Sequence, residues 1–262
     1  METRTLEEMA QTILTLIQTD SSIKDEKTVK YNCKKCNDFG YILDAETDTA
    51  KECECNKVRI YKKKLKESGI SEAFSNKKLD NYIEKDESTK MAKNMAIDYI
   101  NNFEEIFESK HNSVAFLGQS GAGKTHLSIA IANELMRRGI GVLYISYREE
   151  ITHLKQIVND GESYRKNIEE YKEAEVLLID ALYKGAIQGN GPGKKFLNPS
   201  DERIMYEIID HRYFTNAPII FSGEFLIKEL LQFSEALNSR IIEMCKGHIV
   251  EFEGRKLNNR LV

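Results

Sequence analysis

The chain has 262 residues, 41% hydrophobic and 31% charged, with a formal net charge of −4. That length suits one sizeable domain plus a small appendage, and no run approaches the roughly 18 apolar residues of a membrane span. A mildly acidic chain is not a uniformly basic nucleic-acid glove, although its 38 Lys and Arg are unevenly spread and leave room for a local basic face.

Residues 1–20 place Leu6, Met9, Ile13, Leu16 and Ile17 at helical spacing, which predicts an amphipathic helix that packs on its own domain or docks a partner. The same stretch lacks the basic-then-apolar pattern of a secretion signal, so a cytoplasmic protein is expected. A polar loop, SSIKDEKTVK, then leads into a segment holding four of the five cysteines. Cys33 and Cys36 form C-x-x-C, Cys53 and Cys55 form C-x-C, and a 16-residue gap separates the pairs. Two such pairs can surround one tetrahedral Zn²⁺, and NDFGY with the polar DAETDTAKE between them reads as a turn and a hairpin. Four thiolates leave no open position, which suggests a structural metal site; a redox dithiol or unrelated thiols are the alternatives. The fifth cysteine, Cys245, reads as a buried small hydrophobe. KVRIYKKKLKESG is basic and helix-forming with Gly69 as its stop, either a solvated face or a DNA contact. Residues 70–87 are mixed and polar, a linker that also touches the nucleotide pocket built by the segments after it.

From about residue 88 helices and short apolar strands alternate. MAKNMAIDYINNFEEIF is helical, with Met91, Met95, Ile97, Tyr99 and Ile100 on or near one face. SVAFLG is a strand, THLSIAIANELMRRG a helix closed by Gly139, GVLYIS a strand, REEITHLKQIV a helix and AEVLLID a strand. The glycine-rich run from Gly185 to Asp201 reads as a loop. SDERIMYEIIDHRYF is a helix, APIIFSG a strand, and EFLIKELLQFSEALNSRIIEMC is helical with breaks. The alternation predicts an α/β core, a parallel sheet covered by helices on both faces.

Between SVAFLG and its helix lies GQSGAGKT, a full match to the phosphate-loop pattern G-x-x-x-x-G-K-[ST] in the required strand-to-helix setting. Gly118, Gln119, Ser120, Gly121, Ala122, Gly123, Lys124, Thr125 and the adjoining His126 are therefore the candidate ATP-binding residues. The glycines let backbone N–H groups converge on phosphate oxygens, and the helix N-terminus adds its partial positive charge. Lys124 is expected to reach the β- and γ-phosphates and Thr125 to ligate Mg²⁺. EVLLID ends in Asp180, an acid placed to hold the same Mg²⁺. A second acid that orients the attacking water often follows this Asp; here Ala181 follows. Binding is then expected to survive while hydrolysis slows, since positioning a nucleophile is a separate task from holding phosphates.

The ordered set YNCKKCNDFGY, CEC, SGISEAF with LDNY, GQSGAGKT, GVLYIS with ITHLK, VLLID, HRYF, PIIFSGE and ALNSRIIEM resembles the bacterial and phage replicative helicase loaders of the DnaC/DnaI (IstB-like) AAA+ ATPase family. The resemblance spans most of residues 31–250. It implies a P-loop AAA+ ATPase core with a small N-terminal zinc-binding domain: helicase docking over 1–68, a linker over 69–87 and the ATPase over 88–262. It implies ATP, Mg²⁺ and Zn²⁺ as cofactors, and a replicative DNA helicase, single-stranded DNA and further copies of the chain as partners, with no membrane. By the same resemblance Glu224 occupies a γ-phosphate-sensing position where the family carries Asn. Arg240 matches the arginine that reaches a neighbouring subunit's nucleotide, and Arg212 is a second interfacial candidate. The activity implied is loading the helicase onto single-stranded DNA; a transposition-helper ATPase and an ATP-binding adaptor with little hydrolysis are the competing readings.

Overall fold

The computed structural model describes residues 31–44, 49–56, 58–60, 74, 76–189 and 195–254. The expected N-terminal helix and most of the basic stretch from Lys57 to Lys66 lie outside the described residues.

β1 (Tyr41–Asp44) and β2 (Thr49–Glu52) form the expected antiparallel hairpin between the cysteine pairs, with Tyr41 opposite Glu52. The core then runs α1 (Glu87–Ile106), β3 (Val114–Gly118), α2 (Lys124–Arg137), β4 (Val142–Ser146), α3 (Tyr147–Ile157), α4 (Gly161–Glu173) and β5 (Val176–Leu182). It continues through the short pair β6 (Ile187–Gln188) and β7 (Phe196–Leu197), α5 (Pro199–Phe214), β8 (Ile219–Gly223), α6 (Ile227–Phe233), α7 (Glu235–Met244) and β9 (Ile249–Phe252).

Five strands make one parallel sheet in the order β4-β5-β8-β3-β9. Side chains alternate across it with the two-residue period of a strand. Ala115, Leu117, Leu143, Ile145, Leu177, Ile179, Ile219 and Phe221 face one cluster, closed by α3 to α7. Val114, Phe116, Val142, Val176, Leu178 and Ile220 face the other, closed by α1 and α2. Both faces are therefore dry, as the alternation of elements predicted, and each fully buried Phe or Leu contributes about 1.5–3 kcal/mol. Among the described residues, no helix is long and apolar enough to cross a membrane.

Local chemistry sets the helix ends. Gly139, at φ +94°, closes α2: its N–H donates to the Met136 carbonyl at 3.3 Å, and that of Ile140 to Leu135 at 3.0 Å. The break between α6 and α7 falls at Ser234, which ends one helix and stands in extended backbone at the N-terminal boundary of the next.

The expected apolar face of α1 holds for Tyr99 and Ile100, which are buried, and for Met95, which packs against the same cluster, but not for Met91. The helix buries Ala92, Ala96, Tyr99, Ile100 and Phe103, whereas Met91 is 61% exposed. Four elements carry no sequence signal: α4, which has few apolar residues, the edge strand β9, and the strands β6 and β7 within the glycine-rich run.

Candidate functional site

β8 lies between β3 and β5, so the carboxyl ends of all three strands meet at one point. That is where open α/β sheets bind ligands. Gly118, Gly121 and Gly123 sit at φ +99°, +80° and +90°. A Cβ on Gly118 would stand 2.4 Å from the Phe252 carbonyl oxygen, and one on Gly123 would stand 2.6 Å from the Tyr82 ring. Conformation and space both demand glycine there. α2 begins with no side-chain cap, which leaves its N-terminus fit for an anion.

Lys124 is 7% exposed and donates to the Gly118 carbonyl at 2.8 Å and the Gln119 carbonyl at 2.7 Å. A buried ammonium inside a cradle of glycine backbone suits a polyphosphate. Thr125 Oγ1 donates to Asp180 Oδ1 at 2.8 Å. This hydroxyl and carboxylate are the hard oxygen donors Mg²⁺ favours, so they fit the ion. Asp180 is further fixed by Ser222, whose Oγ donates to Oδ1, and by Tyr144, whose hydroxyl donates to Oδ2 at 3.3 Å. Burial first, and then the Asp180 charge, push the Tyr144 pKa up, so it stays a donor. Ser222 and Tyr144 escaped the sequence reading because a lone Ser or Tyr inside an apolar strand looks like any other strand residue.

Ala181 has φ +57°, and its N–H donates to Ser222 Oγ at 3.1 Å. Glu224 lies just past β8 and accepts from Ser120 Oγ at 3.2 Å. The polar stretch before α1 does reach the loop, since the Tyr82 hydroxyl donates to the Ala122 carbonyl at 3.2 Å. His126 belongs to the same contact: its Nε2 lies 2.8 Å from the Lys78 carbonyl and 3.0 Å from Asn81 Oδ1. A carbonyl only accepts, so Nε2 carries the proton, and burial lowers the ring's pKa toward the neutral form.

Arg240 stands apart from the loop. Its Nε lies 3.0 Å from Asp210 Oδ1, an ion pair angled short of a hydrogen bond, and its Nη1 donates to the Ala236 carbonyl at 2.6 Å. The guanidinium also lies over the Tyr206 and Tyr213 rings, 5.0 and 5.7 Å from their centroids. Arg212 is not an interfacial residue. It is fully buried, its Nη1 donating to the Tyr171, Lys172 and Ala174 carbonyls at 2.8–2.9 Å and its Nη2 to that of Pro218 at 2.7 Å. Its work is to satisfy the carbonyl end of α4, a cap no sequence pattern announces.

The Sγ atoms of Cys33, Cys36, Cys53 and Cys55 all lie within 4.8 Å of one another. The Gly40 N–H, at φ +83°, donates to Cys36 Sγ at 3.3 Å. The Cys33 pKa is held low, at about 7, foremost by the Cys36 backbone N–H, whereas burial raises that of Cys55. Four sulfurs this close ionise together only around a cation, so the cluster is compatible with zinc. Cys245 is fully buried as expected, and burial raises its pKa.

Comparison with known proteins agrees with this geometry. Residues 89–255 match the family model described as IstB-like ATP binding protein. The chain is 34% identical over 239 residues to the phage-like element PBSX protein XkdC of Bacillus subtilis strain 168, covering 88% of this chain and 87% of that one. It is 25% identical over 189 residues to the replicative helicase loader DnaC of Escherichia coli K12, covering 72% and 70%. A crystal structure of the DnaC helicase loader superposes with a TM-score of 0.58 at 22% identity, over 69% of this chain and 99% of that one, a likeness of fold. The family match takes in the phosphate loop, Asp180, Glu224 and Arg240, and the chain therefore belongs to the IstB-like ATP binding protein family of DnaC-like AAA+ proteins.

Proposed function

We propose that this protein is an ATP-dependent loader that places a replicative DNA helicase on single-stranded DNA at replication initiation, phage or prophage encoded and cytoplasmic. The observation that carries the reading is one chain holding both a phosphate-loop site and a four-cysteine cluster while aligning with a helicase loader over 72% of its length. Residues 1–68 dock the helicase, 69–87 link, and 88–262 form the ATPase. Cys33, Cys36, Cys53 and Cys55 hold a structural Zn²⁺, which supplies the crosslink that a small core cannot. Lys124 and the loop N–H groups hold the ATP phosphates. Thr125 and Asp180 hold Mg²⁺, which when bound neutralises charge on the phosphate oxygens. Arg240, contacting only α5 and α7 of its own chain among the hydrogen bonds, ion pairs and ring contacts described above, serves a neighbouring copy's nucleotide.

The test is mass determination of the protein with its host's replicative helicase under ATP, ADP and no nucleotide. A defined complex that nucleotide or Arg240→Ala alters supports the loader. No complex in any state sinks it and moves the transposition helper to the front. Ala181 favours a second reading, an adaptor that binds ATP with little turnover; steady-state hydrolysis with and without single-stranded DNA separates the two.

A further inference from the structure

Orienting the attacking water calls for a hydrogen-bond acceptor beside the γ-phosphate, and a carboxylate can also take the water's proton. Position 181 cannot supply it. Ala181 carries a methyl, sits at φ +57° where most side chains are strained, and has its N–H engaged by Ser222 Oγ. We propose that Glu224, steadied by Lys184, carries this task, so that the water-orienting acid has moved from the end of β5 to the end of β8. The inference rests on the ATPase reading of the site but not on the identity of any partner.

Placement carries the argument. Lys124 Nζ rests on the Gly118 and Gln119 carbonyls, one residue before Ser120, and Glu224 Oε1 accepts from Ser120 Oγ at 3.2 Å. A lysine that serves the γ-phosphate and a carboxylate thus border the same end of the loop, while Thr125 and Asp180 occupy the metal side. An unaccompanied carboxylate would repel a triphosphate; here Lys184 Nζ lies 4.0 Å from Glu224 Oε1. The turn after β5 brings that lysine round. Ala181 and Tyr183 are both left-handed, at +57° and +60°, and the Lys184 N–H donates to the Ala181 carbonyl at 3.0 Å. Tyr183 is fully buried and anchored by its hydroxyl on Asn238 Oδ1 at 3.0 Å, so the turn is fixed. Lys184 and Glu224 stay half exposed, 49% and 41%, so their pairing adds little to stability and leaves room for a water.

In the step proposed, the water oxygen bonds to the γ-phosphorus as the bond from that phosphorus to the β–γ bridging oxygen breaks. The bond's electron pair stays on the β-phosphate, Glu224 accepts the water's proton, and ADP and inorganic phosphate result. Lys184 is a positioning residue that holds the carboxylate aimed.

The experiment is Mg-ATP hydrolysis by the full chain, with KM, kcat and fluorescent-nucleotide affinity measured separately. Glu224→Gln keeps a hydrogen-bond partner for Ser120 but cannot take the proton; kcat should fall about 10²–10³-fold with KM and affinity nearly unchanged. Lys184→Met should lower kcat about tenfold at unchanged affinity, and Lys184→Arg should regain most of it. Wild-type kcat in Glu224→Gln overturns the proposal, as does wild-type turnover no higher than that of Lys124→Ala. Helicase complexes are scored on the same Glu224→Gln protein, where a nucleotide-dependent complex is expected to persist. Loss of the catalytic proposal and loss of the loader reading therefore show up in different assays.

Discussion

The cysteine module and the sheet core are held together by different physics. Among the described residues from 31 to 60, Cys36 and Cys53 are buried in the module and Val58 in the core cluster closed by α1 and α2, while Phe39 is 71% exposed and Tyr41, Ile42 and Ile60 also face solvent. In the core, every residue of β3 and of β8 is buried. The module has spent its inside on sulfur, so its order depends on what joins four thiolates. The core depends on many separate contacts, each worth a small share of the whole. Losing one cation is expected to undo the module at a stroke, whereas losing any one contact should lower the core's stability by a small step.

Metal removal is the largest test of that contrast. A strong chelator, or Cys36→Ser, should unfold the module completely, seen as proteolysis between residues 31 and 60, while nucleotide affinity and the core's cooperative melt persist. A core that melts with the module would break the comparison. Next comes Arg212→Met. It strips hydrogen bonds from four carbonyls, three of them in buried bonds, and should lower core stability by about 3–5 kcal/mol in urea titrations, with the module's metal content unchanged. A loss below about 1 kcal/mol would mean the carbonyls find other partners.

A matched pair of glycines separates backbone strain from crowding. Gly139 and Gly123 have nearly the same φ, +94° and +90°. A Cβ on Gly139 meets nothing within 4 Å, whereas one on Gly123 strikes Tyr82. Gly139→Ala should cost about 1–2 kcal/mol and leave nucleotide binding alone. Gly123→Ala should cost more and weaken nucleotide binding, because Tyr82 or the loop must move. Equal losses in the two variants would show that Tyr82 yields freely.

What the sequence revealed follows the same division. GQSGAGKT was legible because each of its residue types answers one demand of phosphate binding, and the sheet was legible because runs such as VLLID must be dry on both faces. The hairpin followed from NDFGY and the polar DAETDTAKE between the cysteine pairs. α4 was missed because its buried contacts reduce to Ile168 and Tyr171, too few to set a period. β9 was missed because four residues at a sheet edge carry no turn signal of their own. Ser222 was missed and Arg212 misjudged for one reason: what a polar side chain does inside a fold depends on partners far away in sequence. Ser222 meets Asp180, 42 positions away, and Arg212 meets Tyr171, 41 positions away.

The smallest effect lies where the polar stretch before α1 enters the core. Asp86 caps α1: its Oδ1 accepts from the Thr89 N–H at 2.9 Å, and Thr89 Oγ1 accepts from the Asp86 N–H at 2.9 Å. Asp86→Ala should cost about 1 kcal/mol at neutral pH. The Thr89 N–H foremost holds the Asp86 carboxyl below its usual 3.8. A depressed folded pKa means the cap's contribution is fully present above the unfolded value and is lost as pH falls through the folded one. The stability gap between wild type and Asp86→Ala should therefore hold steady down to about pH 4 and narrow below it. Asp86→Asn, which keeps an accepting oxygen without a titrating proton, should sit near wild type at pH 7 and show no such narrowing against Asp86→Ala. A gap between wild type and Asp86→Ala that stays flat through the acid range would show that the protonated carboxyl caps the helix as well as the carboxylate does.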